Sequence, residues 1–146
     1  MKISTRNQFQ GKLILGICLL LASILAACGA LTSSDQGKVV GEFMNAMLNK
    51  NIPVAVALFP TGSEAEMTPQ LENLLANQYY LFEGYQSITV TSIDISAGAD
   101  QSTAELEGMV TYDNDFEGVF QAELLEEGDS WKLTNITVNV PEEKVP

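Results

Sequence analysis

The chain contains no histidine. With it goes the side chain that most readily exchanges a proton near neutral pH, and a histidine-dependent nucleophilic triad is excluded. Cysteine is almost as scarce: Cys18 and Cys28 are the only two. Arginine occurs once, at Arg6, so everything beyond it lacks the planar guanidinium that clamps carboxylate or phosphate in two-point fashion. No apolar run is long enough to span a bilayer comfortably. The longest, residues 13–27, falls short of the roughly 20 residues that crossing requires. Acidic residues are absent before Asp35, although the chain has 19 of them.

What is present at the N-terminus fits those gaps. Lys2, Arg6 and Lys12 form a basic lead, the apolar run comes next, and small residues close it. This is the layout of a secretory signal. The closing residues, Leu25-Ala26-Ala27-Cys28, resemble the bacterial lipobox. That resemblance implies acylation of the Cys28 thiol and cleavage just before it. Residues 1–27 are then a signal peptide, 28–37 a flexible tether of small and polar residues, 38–141 the domain and 142–146 a charged tail. The alternative is an ordinary secreted protein cut near Ala26 or Ala27. The expected location is the cell envelope, lipid-anchored on the extracytoplasmic side of a membrane, with acyl chains contributing about 0.8 kcal/mol per buried methylene. Cys18 leaves with the signal, so no intramolecular disulfide remains. The core alone must hold the domain.

Removing residues 1–27 leaves Lys38, Lys50, Lys132 and Lys144 against all 19 carboxylates, a formal charge of −15. Such a surface disfavours nucleic acid and anionic headgroups. Cations, basic proteins and small apolar ligands stay open as partners, and no cofactor is implied.

Along the domain, Val39, Val40, Phe43, Met44, Met47 and Leu48 form a wide helical stripe over 38–50. Pro53 forbids its continuation. A short helical piece comes next over 54–59, stopped by Pro60 and Gly62. Thr68-Pro69 has the form of an N-cap with proline at the first helical position. Leu71, Leu74, Leu75, Tyr79 and Phe82 continue at helical spacing to Gly84. The period then becomes two. Ile88 and Val90 share one parity and Ile93 and Ile95 the other, which predicts a β-bulge near Ser92. Strands over 103–112 and 116–125 point Leu106, Val110, Phe120 and Leu124 one way and Glu105, Glu107, Glu117 and Glu123 the other. A three-residue turn, Asp113-Asn114-Asp115, would set Glu105 opposite Glu123, with Lys132, the one basic residue of the predicted sheet, offsetting their charge in part. The last strand, over 131–140, shows another parity slip after the turn at Gly128-Asp129.

Helices followed by a meander of about four antiparallel strands give an α+β domain, with the helices packed on one face of a curved sheet. The order resembles the NTF2-like (cystatin-like, cone-shaped) superfamily. The short helix Val54-Ala55-Val56-Ala57-Leu58-Phe59 and the closing Gly128-Asp129-Ser130-Trp131-Lys132-Leu133 carry the likeness. Among such domains the chain is similar to small bacterial lipoproteins of uncharacterised function. The resemblance implies an apolar cone, here lined by Phe43, Phe59, Tyr79, Phe82, Tyr85, Phe120 and Trp131.

Enzymes of this superfamily (isomerases, cyclases and dehydratases) place a carboxylate base in that cone, where a dry setting tunes its pKa. Asp94, the acidic residue in an otherwise apolar and hydroxylic strand, is the candidate base. Asp113, Asp115 and Glu117 match the opening of a calcium loop. The twelfth position, which needs a bidentate Glu, is Leu124, and Asp and Asn are ordinary turn residues. The reading that fits best is a membrane-anchored binding or accessory module without catalysis, its soluble domain a monomer. A small pocket-carboxylate enzyme and a weak cation-binding protein are the alternatives.

Overall fold

The structure is a computed structural model, which describes residues 34–146, apart from the side chain of Asn114. The signal peptide, Cys28 and residues 28–33 of the tether lie outside the described residues. Among the described residues no helix is long and apolar enough to cross a membrane.

Helix α1, Asp35–Leu48, starts three residues before the apolar stripe does. Ser34 caps it, its Oγ accepting from the Gly37 N–H, and Asp35 places a negative charge in the first turn. Gln36 and Gly37 are buried, so the end of the stretch expected as tether belongs to the helix. Helix α2 is short, Ile52–Val56, and Asn51 caps it with Pro53 in its first turn. Helix α3, Glu64–Gln78, corrects the sequence reading more strongly. Pro69 lies inside it, and the Thr68 hydroxyl donates back to the Glu64 carbonyl instead of capping. A 3-10 turn, Tyr79–Leu81, leads to Gly84 at φ +72.

Four strands complete the domain as a meander in the order β1-β2-β3-β4: Tyr85–Ala97, Ser102–Tyr112, Glu117–Glu127 and Ser130–Asn139. The β1–β2 register skips Thr91, between Val90 and Ser92, which is the expected bulge. In β4, Thr134 is the extra residue: Leu133 opposes Leu124 and Asn135 opposes Glu123. Gly128 supplies positive φ at the first position of the two-residue β3–β4 loop. Asp115, at φ 60, closes the three-residue loop between β2 and β3, where the Tyr112 N–H donates to Phe116.

One sheet face is covered by α1 and its neighbours. Val40, Phe43, Met44 and Met47 pack there against Leu106, Val110, Phe120 and Leu124, all of them buried. Phe43 contacts Phe59 and Phe82 edge to face, with ring centroids 5.9 and 6.1 Å apart. Gly108 makes room for this core. A Cβ there would collide with the Phe120 ring and the Thr89 carbonyl. Leu75, on the apolar spacing of its helix, and Trp131, expected among the lining aromatics, are only partly buried. Trp131 sits at the start of the edge strand, where less of the protein covers it.

Candidate functional site

The opposite sheet face, which no helix among the described residues covers, is where polar side chains converge. Strand alternation sends Glu105, Glu107 and Glu123 outward, and the register then aligns them. Asp94 opposes Glu105, Glu105 opposes Glu123, and Glu123 opposes Asn135, a single row running across the sheet. A second row runs Ser92, Glu107, Gln121, Thr137. Gln121 Nε2 donates to Glu107 Oε1 at 3.1 Å. The members of these rows on β2, β3 and β4 line a shallow concavity of about 190 Å³. Beside it Met109, Val119 and Asn139 border a second, less polar one.

Directly opposed carboxylates destabilise a strand pair unless a cation lies near. No lysine among the described residues serves here. Lys38 pairs with Asp35 at 2.7 Å, and Lys50 stands over the Tyr79 ring, 4.3 Å from its centroid. Lys144 donates to the Glu83 carbonyl and stands over the Tyr112 ring. Lys132, expected to offset the glutamates in part, donates to the Ala57 carbonyl at 2.7 Å. β4 is an edge strand, so its lysine reaches round to the end of α2 rather than across the face.

The sequence candidates divide by face. Asp94 is exposed in the outer row and not inside the apolar interior, because the bulge at Thr91 flips the parity of the residues beyond it. Asp113, Asp115 and Glu117 belong to the β2–β3 turn and the start of β3 and do not converge. The described residues contain no group of three or more His, Cys, Asp or Glu able to hold a metal ion. The Asp113 carboxylate instead lies against the Gly84 backbone, while its own N–H donates to the Gly84 carbonyl.

Of the residues expected to line a cone, Phe43, Phe59, Phe82 and Phe120 are buried in the packed core. Tyr79 is half-buried and donates its hydroxyl to the Leu48 carbonyl. Trp131 borders a surface groove beside α1. Tyr85 opposes Tyr112 across β1 and β2. Burial raises the pKa of both phenols, and proximity to Tyr85 raises that of Tyr112 further. Both are thus neutral hydrogen-bonding groups at ordinary pH, and the Tyr112 hydroxyl donates to the Leu81 carbonyl at 2.8 Å. Sequence reasoning missed Asn135 and Thr137 as members of the outer face. The parity slip in β4 leaves their side undetermined until Thr134 is known to be the extra residue.

No family model matches the chain, and no curated protein does. Solved structures do. A protein of unknown function with a cystatin-like fold from Nostoc punctiforme aligns with TM-score 0.50 at 12% identity, over 72% of this chain and 87% of that one. A candidate ketosteroid isomerase from Shewanella frigidimarina aligns with TM-score 0.45 at 16% identity, over 74% and 97%. At such identities the likeness concerns the backbone alone. The described domain has the cystatin-like, or NTF2-like, α+β fold.

Proposed function

We propose that this protein is a lipid-anchored, extracytoplasmic binding or accessory module that performs no chemistry of its own. The observation that carries the reading is the separation of acid from interior. Among the described residues the only buried polar side chain besides the Tyr85 and Tyr112 phenols is Gln36, and every carboxylate lies outside the core. A general base of the isomerase type needs a carboxylate in a dry, apolar setting. Asp94, Glu105, Glu107 and Glu123 lie together instead on an open sheet face, which supports recognition rather than catalysis.

The anchor rests on Leu25-Ala26-Ala27-Cys28 at the end of the apolar run. Acylated there, the domain resides in the cell envelope as a monomer. Its partner is a protein or a small apolar ligand, since net charge disfavours nucleic acid and anionic surfaces. Intact-mass spectrometry of the membrane-extracted chain is the test. The expected product begins at Cys28 and carries acyl mass that Cys28→Ser loses, together with membrane retention. An unacylated product that retains Ala27 at its N-terminus would overturn the anchor.

A further inference from the structure

The sheet has two edges, and the protein treats them differently. On β4 the Leu133 N–H donates to the Leu58 carbonyl at 2.8 Å, and Lys132 reaches Ala57, so the chain after α2 covers part of that edge. On β1 no such cover exists among the described residues. No other described segment makes a backbone hydrogen bond to residues 86–97 on the side away from β2. An edge strand left open in this way presents a row of unpaired donors and acceptors, and proteins usually blunt it with lysine, proline or inward charge. Residues 87–97 contain no lysine, no proline and no glycine, and their single charge is Asp94. Register shifts at Gln86 and Thr91 interrupt the edge. Beyond Thr91, residues 92–97 pair regularly with β2.

The side chains along this stretch specify what fits beside it. On the helix-covered side Ile93 is half-buried and Ile95 is 54% exposed, an apolar surface that the protein leaves partly open. Helix α1 starts lower down the strand, where Gly37 lies against Val90. On the outer side Asp94 begins the row that continues through Glu105 and Glu123 without a lysine. We propose that the edge of β1 receives an extended segment of a partner protein in which apolar and basic residues alternate. The partner's backbone would continue the ladder. Its apolar side chains would cover Ile93 and Ile95, and its Lys or Arg would sit opposite Asp94 at cross-strand distance. Charge selects against a second copy of this chain, because pairing β1 with itself would place two acidic rows side by side.

The proposal deepens the binding-module reading, and its assay does not depend on acylation. An unacylated chain that still bound would overturn the anchor and leave the edge assigned. The probe is a short labelled peptide of alternating valine and lysine, with a valine–glutamate peptide as its counterpart. Fluorescence anisotropy is read on the full chain extracted in non-ionic detergent at about 0.1 M salt. The valine–lysine peptide is expected to bind and the valine–glutamate peptide not to. Ile95→Lys and Asp94→Lys should each weaken binding by at least about tenfold. Glu72→Lys, the same charge change at an exposed position of α3, should leave it unaltered. Asp94→Lys keeps the test readable if Ile95→Lys fails to fold. Three results would overturn the proposal: no binding of the valine–lysine peptide, equal weakening by Glu72→Lys, or full binding by both edge variants. A dimer in light scattering that Ile95→Lys dissolves would also overturn it, by giving the edge to a second copy.

Discussion

Single side chains carry unequal shares of stability here, and their burial ranks them. Phe43 is 1% exposed and touches two other rings edge to face. Phe43→Ala should therefore cost about 3–5 kcal/mol, a large part of the roughly 5–15 kcal/mol that holds a domain. Trp131→Ala should cost less than Phe43→Ala, because Trp131 is only partly buried. Urea denaturation of the two variants beside the parent checks the order. Tyr112 and Tyr85 give a dependence on pH. Burial raises both pKa values above the ordinary value of 10.0, so the folded state favours the neutral phenol. That contribution is complete below pH 10, where both folded and unfolded chains are protonated. Above it the unfolded chain ionises first, and stability should fall by at most about 1.4 kcal/mol per pH unit for each tyrosine. Tyr112→Phe forfeits the hydrogen bond to Leu81, about 1 kcal/mol, and should flatten the alkaline loss. Thermal melts of both proteins across that range measure it.

At the scale of elements, α3 holds a proline where a helix tolerates it poorly. Pro69 is past the first turn, so the Ala65 carbonyl lacks the N–H that position 69 would otherwise donate, and the ring crowds that carbonyl. The side chain is exposed, so nothing packs on it in compensation. Pro69→Ala should stabilise the domain, by up to about 3 kcal/mol, and raise the melting temperature by several degrees. An unchanged or lower melting point would mean that the helix bends to accommodate the ring at no cost. The same element marks the limit of what the sequence discloses. Thr68-Pro69 carries the signature of a helix start, but the real start is Ser63, whose side chain makes no capping bond and turns instead to the Pro60 carbonyl. Ser63 and Glu66 do have the spacing of a capping box, a start signal overshadowed by the more conspicuous Thr68-Pro69. The strands were far more legible. Alternation is local, so the bulge at Thr91 and the Glu105–Glu123 pairing come from parity and the length of one turn. Parity could not orient Asp94 beside the bulge, and it could not foresee that Lys132 would leave the face for Ala57. Both outcomes depend on neighbours distant in the chain.

For the molecule as a whole, the outer sheet face decides association. A dimer built on it about a two-fold axis would bring each acidic row against its copy. The row Asp94, Glu105, Glu123 has no lysine among its described neighbours, since all four lysines of the described residues are engaged elsewhere. The repulsion is thus greater than the sequence implied, when Lys132 was available to offset it. Opposing this, Val119 is 53% exposed beside Met109 at the other end of the face, an apolar patch that would gain from being covered. Burying one such side chain contributes about 1.5–3 kcal/mol, less than a stable interface needs once the cost of association is met. Repulsion should therefore prevail at low ionic strength. It should weaken with salt, as the Debye length shrinks from about 10 Å at 0.1 M to about 3 Å at 1 M. Light scattering on residues 34–146, which keep the Ser34 cap of α1, should report a monomer at 0.1 M salt, with any association confined to high salt and high protein concentration. Glu105→Gln with Glu123→Gln removes the directly opposed pair and should shift association to lower salt. A dimer that persists at low salt in the parent, and is indifferent to those two substitutions, would show that the apolar patch and not the carboxylates governs this face.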